Sequence, residues 1–207
     1  AALVPDVVIV PIGGGGLAAG VALALHAQGV RIVGAQVEHV DAMHRVLRGA
    51  PEGALPVSTL ADGVRVRHPG KLTREILSRL LDDIVIVREA ELRETLVRLA
   101  LEEHVIAEGA GALALAAGRR VAGKRKCAVV SGGNIDAAVL AGLLADVRPR
   151  APRKPRRRAL EDTASPTCAK KAATRAGRTT TPSPVVVRLP SPAVIGDLGA
   201  RSQAAFP

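Results

Sequence analysis

VVIVPIGGGGLAAG, residues 7–20, is the stretch from which the rest of the chain is read. Val7 to Val10 are apolar and β-branched without a polar interruption, the pattern of a strand buried on both faces of a parallel sheet. Four consecutive glycines follow, Gly13 to Gly16, and then an alanine- and leucine-rich segment, Leu17 to Gln28, that propagates well as a helix. Strand, glycine loop and helix N-terminus together make an anion site. Without Cβ atoms the backbone curls and presents its N–H groups at close range. The first helical turn adds unpaired donors and the positive end of the helix dipole. A tight turn that binds nothing is satisfied by a pair of glycines, so the longer run points to phosphate.

Outward from this stretch, strand and helix patterns alternate. Gly29 stands where a helix-ending glycine belongs. RIVGAQVE, 31–38, is the next strand, with Glu38 at its carboxyl end; 39–48 reads as a short helix, and 50–56 as a loop by its Pro and Gly content. STLADGVRV, 58–66, has no clean period. Residues 72, 76, 77, 80 and 81 put apolar side chains on one helix face, DDIVIV (82–87) is a strand, and Glu89 to Glu103 is an amphipathic helix with Leu92, Leu96, Leu99 and Ala100 inward. Glu108 opens an EGAGA stretch that leads into an alanine-rich helix ending at Ala117. The basic connector 118–126 reads as solvated. CAVVSGGN, 127–134, is a strand running into a second glycine turn, and Ile135 to Ala145 is a helix. The alternation predicts an α/β fold with a doubly wound, mostly parallel sheet. Ligands in such sheets bind at the carboxyl ends of strands, where both glycine turns lie.

Past Val147 the pattern stops, which divides the chain into a body, 1–147, and a tail, 148–207. Residues 149–207 carry 12 Lys and Arg against 3 Asp and Glu, so most of the net charge of +10 belongs to the tail. A Pro- and Arg-rich composition without period buries no core, which predicts a disordered basic tail in which Val185 to Leu189 is at most an isolated strand. A shifted reading frame in GC-rich coding DNA produces this kind of sequence. The tail's cations would bind polyanions in a salt-dependent way, but no aromatic residues are interleaved for stacking, so no nucleic-acid partner is expected. Two cysteines, Cys127 and Cys168, make no disulfide framework, which suggests a reducing cytoplasm. No apolar run reaches membrane-spanning length and no signal-peptide pattern opens the chain, so no membrane association is expected. Phe206 is the single aromatic residue, which leaves the core to aliphatic side chains.

Two readings of the glycine loop compete. In the first, Gly13, Gly15 and Ala18 satisfy the G-x-G-x-x-[GA] fingerprint of a dinucleotide-binding domain, and Glu38 ends the following strand where a ribose-binding acid belongs. A run of glycines matches that fingerprint in several registers by chance. The second reading uses more of the chain. The order IVPIGGGGL, TLADG, EGAGALA, VVSGGN resembles the pyridoxal-phosphate-dependent serine/threonine dehydratases (threonine ammonia-lyases) of the fold-type II, tryptophan synthase β-like family, over residues 5–146. The resemblance implies pyridoxal 5'-phosphate as cofactor and conversion of threonine or serine to a 2-oxo acid and ammonia. It implies phosphate contacts from the backbone of Gly13, Gly14, Gly15, Gly16 and Leu17, and a Ser131 hydroxyl at the pyridine nitrogen. Gly132 and Asn134 would shape that turn, with Gly63 and Glu108 on the ring side of the pocket. Competing local roles are helix capping for Ser131, which Asn134 would do better, and a helix-terminal acid for Glu108.

The family's Schiff-base lysine lies in an S-x-K-x-R-G-A segment, and none of the six lysines here, Lys71, Lys124, Lys126, Lys154, Lys170 and Lys171, has that context. The resemblance therefore implies the C-terminal part of a catalytic domain, inactive alone, with an N-terminal half and a second copy of the chain as expected partners beside a small amino-acid substrate. Glu38, His39, Asp41 and His44 cluster after a strand. Some members hold a cation there with an acid matching Glu38, but His44 replaces their second acid, and a hard cation prefers oxygen. No metal is therefore expected.

Overall fold

The structure, a computed structural model, describes residues 4–51, 58–147 and 185–188. Its elements in chain order are β1 (Val7–Pro11), α1 (Gly16–Leu25), β2 (Arg31–Val37), α2 (Ala42–Leu47), α3 (Lys71–Leu80), β3 (Asp83–Val87), α4 (Glu89–Leu101), α5 (Gly109–Ala117), β4 (Lys126–Val130), α6 (Ala137–Ala145) and β5 (Val185–Arg188). The strands form one parallel sheet in the order β3-β2-β1-β4-β5. The expected doubly wound α/β layer is the observed one.

Strand alternation sorts the apolar residues into two cores. Val7 and Ile9 of β1 face one side, with Val33, Ala35 and Val37 of β2 and the inner faces of α4 and α5. Val8 and Val10 face the other, with Ile32, Ala18, Ala19, Ala22 and Leu77. This two-sided burial is why Val7 to Val10 are continuously apolar. With no Phe, Tyr or Trp among the described residues, close approach replaces bulk: α5 buries eight of its residues, all glycine, alanine or leucine, between α4 and the sheet.

Several expectations are corrected. Leu72 is 68% exposed rather than on the buried face of α3, because the first turn of that helix lies against the glycine loop and not the sheet. Lys126, expected in a solvated connector, starts β4 and is buried; its ammonium donates to the Gly118 carbonyl at 2.9 Å, at the C-terminus of α5 where a cation is favoured. Val185–Arg188 is not isolated but pairs in parallel with β4, Cys127 opposite Val185 through Val130 opposite Arg188, on the β4 edge that β1 leaves free. The rest of the expected tail, 148–184 and 189–207, lies outside the described residues, as do Cys168 and Phe206. Among the described residues no helix is long and apolar enough to cross a membrane.

Candidate functional site

The strand order reverses between β1 and β4: the chain winds outward from β1 through β2 to β3, then returns to place β4 on the other side of β1. At such a switch point the carboxyl ends of the two central strands open a crevice. The glycine loop leaves β1 there, and the SGGN turn leaves β4.

Within the loop the glycines are not equivalent. Gly15 has φ of +94°, the left-handed region, and caps α1 without any side-chain hydrogen bond to the helix's first N–H groups. An added Cβ at Gly13 would lie 3.1 Å from Val64 Cα and 3.4 Å from the Gly63 carbonyl oxygen, so the loop is packed against the ADG turn. At Gly14 and Gly16 an added Cβ meets nothing within 4 Å, and neither has a positive φ. Leu17 is 38% exposed in the first turn of α1.

The second half of the site gathers around Glu108. Its backbone N–H donates to the Gly132 carbonyl at 3.1 Å, tying the start of α5 to the SGGN turn. Its side chain makes no capping bond to α5. The carboxylate instead lies against Gly132, where a Cβ would meet Glu108 Cδ at 2.7 Å, and an added Cβ at Gly63 would stand 3.8 Å from Glu108 Oε1. Gly13, Gly63, Glu108 and Gly132 thus form one connected chain of contacts. Ser131 and Gly132 are half-buried at the end of β4, and Asn134 is exposed. Neither Ser131 nor Asn134 caps the following helix: α6 begins at Ala137, and Asp136 caps it, accepting from Ala138 N at 2.7 Å and Val139 N at 3.3 Å. Glu108 and Asn134 also line a cavity of about 650 Å³ with Ser58, Thr59, Asp62, Glu89 and Arg93, among others. That volume suits a small ligand, but the glycine loop, Gly63 and Ser131 lie outside its walls.

Two residues that sequence reading passed over hold the loop. Thr73 Oγ1 donates to the Gly14 carbonyl at 2.6 Å. Gln36, 1% exposed in β2, donates through Nε2 to the Ile12 carbonyl at 3.1 Å and accepts from His44 N at 2.8 Å, fixing the exit of β1. Gln36 carried a signal, a polar side chain within the apolar run that follows Arg31. Thr73, at the start of an amphipathic helix, carried none.

The remaining candidates point elsewhere. Glu38 Oε1 accepts from Glu89 N at 2.8 Å, which directs that carboxylate to the N-terminus of α4 rather than to a ribose. Asp41 lies 3.6 Å from His44 Nδ1. Among the described residues no three His, Cys, Asp or Glu side chains gather closely enough to hold a metal ion. Of the lysines, Lys126 is held on the Gly118 carbonyl, Lys71 and Lys124 are exposed, and Lys154, Lys170 and Lys171 lie outside the described residues.

A family model described as "Pyridoxal-phosphate dependent enzyme" matches residues 1–133. The L-threonine ammonia-lyase of Thermotoga maritima is 42% identical over 137 residues, covering 63% of this chain and 34% of the relative. The catabolic L-threonine dehydratase TdcB of Escherichia coli K12 is 43% identical over 140 residues, covering 63% of this chain and 43% of the relative. The chain thus spans about a third to two fifths of the length of these curated relatives. Among solved structures, a threonine deaminase from Solanum lycopersicum (the processed form of isoform 2) superposes with a TM-score of 0.62 at 28% identity, over 69% of this chain and 45% of that one. Maize serine racemase superposes with a TM-score of 0.60 at 31% identity, over 68% and 48% respectively.

Proposed function

The chain belongs to the pyridoxal-phosphate dependent enzyme family, and from that premise we propose that its glycine loop holds the phosphate of pyridoxal 5'-phosphate in an enzyme converting threonine or serine to a 2-oxo acid and ammonia. One observation carries this reading. Glycine at positions 14 and 16 is required neither by φ nor by the chain's own packing, since a Cβ at either would enter open space. Positions left bare in this way leave room for a ligand. The uncapped start of α1 supplies donors and positive potential beside that space.

When bound, pyridoxal phosphate supplies an electron sink for the charge that develops at the α-carbon of an amino acid. The chain's own contribution is binding and orientation. N–H groups of Gly13 to Leu17 take the phosphate. Ser131 is assigned to the pyridine nitrogen; a neutral hydroxyl does not hold a proton there as a carboxylate would, which favours loss of a β-hydroxyl over transamination. Gly63 and Glu108 line the ring side, and Gly132 and Asn134 shape the turn. No covalent role is assigned to any of the six lysines, none of which stands in the family's sequence context. The same reading makes the substrate a small hydroxy amino acid, the complete enzyme a homo-oligomer and its compartment the cytoplasm.

Calorimetric titration of the folded chain with pyridoxal phosphate, inorganic phosphate and NAD tests the reading. Saturable binding of the first two, tighter than any binding of NAD, is the expected result. NAD binding tighter than pyridoxal phosphate would return the loop to the dinucleotide reading.

A further inference from the structure

Thr73 and Gly14 are 59 residues apart in sequence and meet through a 2.6 Å hydrogen bond from the threonine hydroxyl to the glycine carbonyl. The Gly70 N–H approaches the same carbonyl at 3.4 Å, and the Thr73 hydroxyl also lies 2.9 Å from the Gly70 carbonyl. With one proton to give, the hydroxyl favours the shorter contact. A Cβ added to Gly15 would stand 3.0 Å from both Thr73 Cβ and Oγ1, so the first turn of α3 is seated directly against the loop.

The consequence follows from peptide geometry. In a trans peptide the carbonyl of one residue and the N–H of the next point to opposite sides of the chain. Holding the Gly14 carbonyl toward α3 therefore turns the Gly15 N–H away from α3. The peptide between two glycines is the one most easily rotated, because neither residue has a Cβ to resist it. Rotation would exchange a donor for a carbonyl oxygen, and an oxygen facing an anion repels it. We propose that Thr73 is a positioning residue for the anion site, its hydroxyl locking the Gly14–Gly15 peptide so that the Gly15 N–H serves the bound phosphate. The identity of that phosphate rests on the function proposed above; the locking does not.

The test compares Thr73→Val, which keeps the shape and removes the hydroxyl, with Thr73→Ser, which keeps the hydroxyl. Two readouts are needed: the NMR resonances of the Gly14 carbonyl carbon and Gly15 amide without ligand, and the affinities for pyridoxal phosphate and unphosphorylated pyridoxal. T73V is expected to shift both resonances and to weaken pyridoxal phosphate about tenfold, the scale of one lost hydrogen bond, while pyridoxal binding stays unchanged. T73S is expected to stay within about twofold of the wild type. If T73V melts before it can be titrated, T73A carries the same expectation. Unmoved Gly14 and Gly15 resonances in T73V, unchanged affinity for pyridoxal phosphate, or an equal loss in T73S would overturn the proposal. If the wild-type chain binds inorganic phosphate but not pyridoxal phosphate, and T73V shifts the peptide and weakens inorganic phosphate, the cofactor reading falls and the positioning role stands; a wild type that binds neither overturns both.

Discussion

Gly15 has a φ of +94°, and an added Cβ there would stand 2.8 Å from Met43 Cε, whereas one step earlier Gly14 has open space around it. The two neighbours therefore separate folding from binding. Gly15→Ala is expected to destabilise the chain by about 1–3 kcal/mol, the usual cost of a side chain held in the left-handed region. Gly14→Ala, whose added Cβ meets nothing, is expected to melt within about 0.5 kcal/mol of the wild type, yet to weaken phosphate binding. Urea denaturation and phosphate titration of both variants measure the contrast, and undiminished binding by Gly14→Ala would remove the open-space argument. The same distinction governed what could be read in advance. The glycine run announced itself because strand, loop and helix are consecutive. Thr73 did not, because its partner is fixed by how α3 packs on α1, which no local pattern encodes.

The pair α4 and α5 carries Glu108 to the crevice, and Glu91 joins that pair to the chain beyond it. Glu91 accepts from Arg88 N at 3.0 Å, closing the first turn of α4, and pairs with Arg120 just after α5 at 2.7 Å. The Arg88 backbone N–H holds its carboxyl below the usual carboxylate range; partial burial opposes this, and the Arg88 and Arg120 guanidiniums reinforce it. A group whose folded pKa is depressed stabilises the fold fully above its unfolded pKa and loses that contribution as pH falls through the folded value. Glu91→Gln keeps an acceptor for the Arg88 N–H but removes the charge facing Arg88 and Arg120, and is accordingly expected to cost about 0.5–1 kcal/mol near pH 7, the scale of exposed ion pairs. The difference from wild type should be smaller at pH 3 than at pH 7. Urea melts of both proteins at the two pH values give the answer, and a pH-independent gap would rule this account out. At this scale most of the fold was legible, since periodicity marks helices and strands wherever one face is buried. The misreadings were at ends. Two nearby polar residues, Asn134 and Asp136, are both good caps, and only the path of the chain after SGGN selects Asp136.

Among the described residues, every buried apolar side chain of the two cores lies between Val7 and Leu143. A chain ending at Val147 is therefore expected to keep cooperative thermal unfolding and phosphate binding, losing only the β5 pairing on the outer edge of β4. Circular dichroism melts and titration of that truncated chain check this, and a molten or non-binding product would show that the later segment is needed for the core. The tail's composition has no means of showing that four of its residues meet a free strand edge. The switch point between β1 and β4 has a further consequence, one of time. β1 pairs with β2 soon after it is made, but its other neighbour starts at Lys126. During synthesis, from the emergence of β1 until that of β4, the most central strand has one open edge and the glycine loop has no opposing turn. A contact between segments so far apart in the chain forms late and slowly. The glycine-loop half of the crevice is thus translated well before the turn that completes it, and a ligand bound there would reward only a chain that has finished folding.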